Sequence, residues 1–430
     1  MVEDGPLDFL GLDYLAEVTM SIMQKLKRRN PEAGYATDFV ELMERLLPQL
    51  VAREVRVVAN AGGVNAAACR QALFEAARRA GVERLKIATV SGDDILHRVP
   101  AMVHDGIDLD NMEDGRPVSE ILDRLLAANV YLPTGGMVEA LDAGADVVLT
   151  GRCTDPGLTL APMVHAFGWA WDDWDCLAAG TVAGHILECG PQCTGGNFSR
   201  WWEVKGWDRL GYPLVEAFAD GSFIVTKHPG TGGMVTVDTV AEQLVYEMGN
   251  PSTYITPDVV ADFTGIRLEV AGKNRVRVSG VRGRPSTDSH KVSMSYLDGY
   301  KATGQLTIAG PDALAKAKVC AQALWGRLKR VGCTYQQTRT EFVGVNSCHE
   351  AIVGESSDVP EVVLRVSVKD RDRRKVDRFG REIAPLVTSG PPGVTGFAGG
   401  RPKATEAIAF WPALIPKEMV EWSVNTEDLH

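Results

Sequence analysis

The sequence predicts an α/β fold: a mostly parallel sheet flanked by helices over residues 1–252, followed by an α+β domain with a largely antiparallel sheet over residues 253–430. Three observations carry that expectation. Short apolar runs alternate with amphipathic stretches through the first half, as βαβ units require. Three polar, glycine-rich turns fall at the ends of such runs, where parallel sheets bind their ligands. From about residue 255 the pattern changes to short strands separated by Gly, Pro and Asn turns.

Taken in order, residues 14–29 and 38–53 have the spacing of amphipathic helices, with Pro48 a kink or stop in the second. Residues 55–60 (VRVVAN) form a Val-rich run of the buried-strand type, and the turn Ala61-Gly62-Gly63 leads to helical spacing over 65–79, stopped by Gly81. Residues 85–90 are the next strand and run into Ser91-Gly92-Asp93-Asp94. Residues 119–128 read as helix, 129–132 as strand and 137–142 as helix; 145–150 (ADVVLT) are a third buried strand, ending in Gly151-Arg152-Cys153-Thr154-Asp155. A strand over 222–226 enters Lys227-His228-Pro229-Gly230-Thr231-Gly232-Gly233, and a helix starts at Thr236. The boundary is set near 250–258, where Pro, Gly and Asn cluster. Beyond it come strands at 266–270, 275–281, 292–296 and 305–309, a helix over 311–330, and strands at 361–369 and 406–410 around a Gly- and Pro-rich loop, 389–402.

Composition narrows the function classes. The chain of 430 residues is 45% hydrophobic and 23% charged, the balance of a folded protein with two or three domains. Its formal net charge is -11, which disfavours nucleic acid and anionic membrane surfaces, since both need clustered cations. The one dense basic run, 369–381, is interrupted by Asp370, Asp372 and Asp377 and reads as a solvated helix face. No apolar run is long enough to span a bilayer. The start, Met-Val-Glu-Asp-Gly, lacks the basic and apolar regions of a secretory leader. Eight scattered cysteines without a CxxC pair fit a reducing compartment, so the expected location is cytoplasmic.

Four segments could carry chemistry. Asn60, Gly62 and Gly63 sit between a strand and a helix, an anion seat if the helix N-terminus is open, or else a tight turn. Arg152 and Asp155 follow a buried strand and would clamp a carboxylate and handle a proton, or pair with each other. In the stretch GHILECGPQCTGGNF, His185, Glu188 and Cys189 share a helix face, with Cys193 and Asn197 beyond. They suit acid–base work or a thiolate with its base, and a capped helix with a buried thiol is the bland alternative. Their spacing is unusual for zinc, so no metal is expected. Lys227, His228, Gly230, Gly232 and Gly233 pair a cation with a glycine loop, an anion site or a hinge. Asp93 and Asp94 would share a proton or hold a metal, or form a solvated turn. Trp169, Trp171, Trp174, Trp201 and Trp202 would line a pocket or fill the core.

The same segments carry a family resemblance. GLDYLAEVTM at 11–20, NAGGVN at 60–65, GADVVLTGRCTDPGL at 144–158, GHILECGPQCTGGNF at 184–198, DGSFIVTKHPGTGGMV at 220–235, PDVVADFTGI at 257–266 and FWPALIPKEMV at 410–420 resemble, in order, blocks of the acyclic-terpene-utilisation (AtuA-like) family. The resemblance implies a role in catabolism through branched acyl-CoA and hydroxyacyl-CoA thioesters. It supplies no catalytic assignment, so the candidate residues rest on the reading above. Members of that family open with an earlier strand and glycine-rich turn, which points to a late start or to a member lacking that turn. The expected function is a lyase or hydratase acting on a carboxylate or (hydroxy)acyl-CoA thioester, without a cofactor. The alternative is a non-catalytic metabolite-binding or scaffolding subunit; a redox enzyme is disfavoured because no dinucleotide fingerprint occurs. Short strands with edges to cover imply a homo-oligomer or a small partner subunit of about 100 residues.

Overall fold

In the computed structural model, which describes residues 1–3, 5–16, 19–345, 347–349, 352, 359–396 and 399–429, four strands lie parallel in one sheet. Phe9–Leu12 pairs with Arg56–Ala59, that strand with Val147–Thr150, and Val147–Thr150 with Lys86–Ser91; Ser423–Asp428 closes the far edge antiparallel. The three inner strands are Val-, Ile- and Ala-rich because both faces are covered. On one face, Phe39, Met43, Leu47 and Leu50 of the helix Thr37–Ala52 and Leu73 and Phe74 of the helix Ala66–Arg79 form one core with Val57, Ile87, Val147 and Leu149. Each such side chain contributes about 1.5–3 kcal/mol by leaving water. Asn65 caps the second helix, its Oδ1 accepting from Ala68 N at 3.5 Å. Pro48 lies inside the helix Thr37–Ala52, which runs on past it to Ala52.

The helix Trp174–Leu187 is buried over most of its circumference, as an element apolar on every side must be. It packs on the helix Gly157–Phe167 and on the strands Val259–Asp262 and Arg282–Pro285. A further antiparallel sheet runs in the order Arg267–Gly272, Arg275–Ser279, Phe223–Lys227, Pro213–Ala217.

The chain divides into two compact units, Met1–Ser295 with Phe410–His430, and Tyr296–Ala409. In the second, Tyr300–Ala309 pairs antiparallel with Glu361–Asp370, which pairs with Gln337–Val343. The helices Ala313–Arg330 and Arg373–Ile383 cover that sheet over a core that includes Leu306, Leu324, Leu364 and Phe379.

Several elements differ from the sequence reading. The units divide at Ser295/Tyr296 and Ala409/Phe410, not at 252/253. Residues 119–128 are not a helix: two 3-10 turns, Val118–Glu120 and Leu122–Arg124, precede the strand Leu125–Val130. The strands expected at 292–296 and 305–309 are one strand, Ser289–Ala309, which continues through Gly299 at φ +92°. The helix expected over 14–29 spans only Thr19–Arg29, behind the strand Phe9–Leu12, and residues 17 and 18 lie outside the described residues. So do 397 and 398 of the loop expected at 389–402, which is entered by the short helix Leu386–Ser389. The basic run, read as a solvated helix face, pairs with acid through Arg378–Glu382 (2.5 Å), Lys375–Asp370 (3.6 Å) and Arg373–Asp377 (3.8 Å). Among the described residues no helix is long and apolar enough to cross a membrane.

Candidate functional site

The carboxyl ends of the four parallel strands gather a polar row, buried except at Asp13. Asp13 follows the first strand, Asn60 the second, Asp93 the third and Arg152 the fourth. Asn60 is fully buried; its Nδ2 donates to Asp13 Oδ1 (2.6 Å) and its Oδ1 accepts from Tyr14 N (2.7 Å). Asp93 Oδ2 accepts from Arg152 N (2.9 Å) and Asn129 Nδ2 (2.8 Å). Burial, with Asp94 adding, pushes the Asp93 carboxyl up to about 6 against the pull of those two bonds. Arg152 is only 1% exposed: Nη1 donates to Leu15 O (2.5 Å), Nε to Cys153 O (3.1 Å), and Nη2 pairs with Asp155. Its guanidinium lies 4.7 Å from the centre of the Tyr131 ring.

Asp155 carries this buried charge outward to a cleft of about 1710 Å³, lying within the first unit and lined also by Asp13, Glu188, Lys227, His228 and Lys273. Glu188 reaches it from the C-cap of the helix Trp174–Leu187, one turn beyond His185, whose Nδ1 is 3.0 Å from Glu188 Oε1. His185 is 1% exposed and stands against the rings of Tyr254 (5.4 Å) and Phe263 (5.7 Å). Its Nε2 has no hydrogen-bond partner among the described residues. The helix that carries Glu188 packs closely on the residue after Asp155 because Gly184 lies on Pro156: a Cβ there would stand 2.4 Å from Pro156 O and 2.5 Å from its Cα. Two carboxylates thus face one cleft, one backed by a buried guanidinium and the other by a buried imidazole.

Lys227 ends the strand Phe223–Lys227 and is buried, 7% exposed. Its Nζ donates to Thr231 O (2.9 Å) and Thr231 Oγ1 (3.1 Å), and no carboxylate pairs with it among the described residues. Burial, and then Lys273, holds its ammonium below the ordinary lysine range. Its stem passes Gly211, where a Cβ would sit 2.2 Å from Thr231 Oγ1 and 3.4 Å from Lys227 Cδ. A side chain at 211 would displace Thr231, which accepts from the lysine.

The chain matches over residues 1–426 the family described as acyclic terpene utilisation family protein AtuA. The chain belongs to the AtuA family. No curated protein and no solved structure matches it.

In this AtuA-family chain the residues singled out from sequence divide into three groups. Asp155, Glu188, Lys227, His228, Gly230 and Gly233 line the cleft. Arg152, His185 and Asn60 stand behind it, buried and holding the residues that do. The rest have other occupations. Gly62 N donates to Thr150 O (3.1 Å) at the end of the neighbouring strand and Gly63 N to Asn60 O (3.3 Å) across a turn, so both amides are engaged within the protein. Gly232 N and Gly233 N donate to Arg209 O and Lys205 O, both at 2.8 Å, which leaves the charge at this loop to Lys227 itself. Asn197 is exposed on a left-handed turn at φ +57° and does not line the cleft. Burial pushes the Cys189 thiol up, and Glu188 and Glu247 push it further, conditions that disfavour a thiolate. Cys193 is fully buried. Among the described residues no group of three or more His, Cys, Asp or Glu is placed to hold a metal ion. Asp93 is buried rather than in a solvated turn, while Asp94 Oδ1 accepts from Leu96 N (3.1 Å). Of the tryptophans, Trp169 is in the core, whereas Trp171, Trp201 and Trp202 are exposed, and none of these lines the cleft.

Sequence reasoning missed Asp13, Tyr212 and Lys273, all of which line the cleft. Asp13 carried a usable signal, since it directly follows the strand Phe9–Leu12. Lys273 carried none: it is one exposed lysine in a hairpin turn, brought to the cleft by strand register.

Proposed function

We propose that this AtuA-family chain is a catabolic enzyme of the lyase or hydratase class, acting on a carboxylate or a (hydroxy)acyl-CoA thioester. One juxtaposition supports the reading above the others. Two carboxylates, Asp155 backed by the buried Arg152 guanidinium and Glu188 by the buried His185 imidazole, share a cleft with Lys227, a buried lysine with no ion-pair partner among the described residues. Adding or removing water next to a carbonyl requires a base, an acid, and a positive group for the charge that grows on the carbonyl oxygen. Glu188 and Asp155 are suited to the two proton transfers. His185 orients Glu188, and Arg152 holds Asp155 in place. Lys227 receives the substrate anion, or the oxyanion formed from it. The net charge of -11 does not oppose this, because the positive charge is local.

Glu188→Gln is the informative variant. The amide still reaches His185 but no longer moves a proton, so kcat on enoyl- and hydroxyacyl-CoA substrates should fall by about 10²–10⁴-fold. Lys227→Met should weaken substrate binding about ten- to a hundredfold, as loss of a charged hydrogen bond predicts. It should leave Tm unchanged or higher, since it removes a buried charge without an acidic partner. Full turnover in Glu188→Gln would sink the proposed roles. A wild-type protein that binds these thioesters and turns none over would be a metabolite-binding subunit instead.

A further inference from the structure

We propose that the cleft holds a dianionic phosphoryl group between Lys227 and Lys273. This rests on the reading above that Lys227 receives an anion, and it names the chemistry of that anion.

Lys273 stands at the tip of the hairpin joining Arg267–Gly272 to Arg275–Ser279. The tip is anchored: Asn274, at φ +54°, accepts on its carbonyl from Thr226 Oγ1 (2.9 Å) and on its side chain from Val235 N (3.1 Å). The register Val276↔Val225 carries this tip along the strand Phe223–Lys227 to its end, so both lysines line the cleft and Lys273 lies near enough to depress the Lys227 ammonium. Neither lysine has an ion-pair partner among the described residues. The adjoining Arg275 does, held by both Glu216 oxygens at 2.5 and 2.6 Å. Two ammonium groups without an ion-pair partner among the described residues thus line one cleft.

Such a pair repels until something negative enters. A monocarboxylate offsets one charge and leaves the other. A phosphoryl dianion offsets both, and its tetrahedral oxygens meet two point charges arriving from different strands. Free phosphate and a nucleotide phosphomonoester present the same group. The exposed ring of Tyr212 on the cleft wall, next to Gly211, offers the second of these a stacking surface.

The test titrates the full chain with inorganic phosphate, a nucleoside bisphosphate and acetate at one ionic strength. Phosphate should bind at least about tenfold more tightly than acetate. Lys273→Ala, a change at an exposed turn, should weaken phosphate about tenfold and leave acetate unchanged, the loss expected for one charged contact. A bisphosphate bound more tightly than phosphate identifies a nucleotide as the source, and equal affinity identifies free phosphate. Equal binding of phosphate and acetate, or an unaltered phosphate affinity in Lys273→Ala, overturns the proposal. Glu188→Gln separates it from the catalytic reading: phosphate selectivity should survive there. Selectivity in a protein that turns over no thioester would leave this inference standing and sink the enzymatic one, and turnover without selectivity would do the reverse.

Discussion

At the scale of single residues, the site is built from charges whose partners decide their roles. Asp93 shows this most directly. Its carboxyl, pushed up to about 6 by burial, favours the protonated form in the folded chain relative to the unfolded one. The sign follows: the stability it contributes is fully present below the ordinary carboxylate pKa and is lost as pH rises through about 6. Asp93→Asn removes that penalty, so its stability relative to wild type should rise between pH 4 and pH 7.5 by up to about 3 kcal/mol. Denaturant titrations of both proteins across that range check it, and parallel curves would show that Asp93 does not titrate on folding. The sequence displayed Asp93 but not its burial, because a Gly-Asp-Asp turn after a strand looks the same whether the chain next to it is water or protein. Arg152 was legible as a charge at a strand end, but the pattern could not show that its donors are held by Leu15 O, Cys153 O and Asp155. Lys227 was readable as a cation before glycines. That it has no ion-pair partner among the described residues depends on every strand that passes it.

At the scale of elements, the helix Trp174–Leu187 carries one proposed acid–base group, Glu188, and packs through Gly184 on the residue after the other. Gly184→Ala should gain about 1 kcal/mol of helix propensity. The new methyl would meet Pro156 backbone atoms at 2.4–2.5 Å, which no rotamer change relieves, and such overpacking costs about 1–3 kcal/mol. The expected outcome is a lower Tm together with a fall in kcat, because Glu188 moves with the helix. A variant with raised Tm and normal turnover would show that this contact does not set the site. Of that helix only the end at His185 was legible, and it stops at Leu187, before the Cys189 that was read on the same face. Among the parallel strands Phe9–Leu12 was not legible, but the other three were, because a run of small and branched apolar residues buried on both faces has few alternatives. The strand Leu125–Val130 was not. Its Leu-Leu-Ala-Ala core has helical propensity, and extended pairing is imposed from elsewhere, through the Asp94–Asn129 bridge and Tyr131 N donating to Lys291 O at 3.0 Å. Likewise Asp298-Gly299 has turn chemistry, yet Ser289–Ala309 continues through it as one strand.

At the scale of the molecule, the change in pattern near residue 255 was real, but it did not mark where packing divides. The strands beyond it return to the first unit because Gly283 sits on the start of the helix Trp174–Leu187: Gly283 N donates to Asp175 Oδ1 at 2.9 Å, and Arg282 pairs with Asp175 at 2.5 Å. The last strand, Ser423–Asp428, pairs with Lys86–Ser91, a partner more than three hundred residues earlier. Sequence periodicity identifies elements and is silent on such returns. The consequence is that the cleft draws only on the first unit, while the second has a core of its own. Leu364 is fully buried in that second core and faces Leu306 across the sheet. Leu364→Ala should destabilise its unit by about 2–5 kcal/mol through lost burial and a cavity. Amide exchange resolved by peptide should therefore accelerate over 296–409, with little change in the peptides that carry Asp155, Glu188 and Lys227 and with unaltered phosphate affinity. Acceleration of equal size in both sets would mean that the two cores unfold as one cooperative body, and that a change far from the cleft in sequence still reaches it.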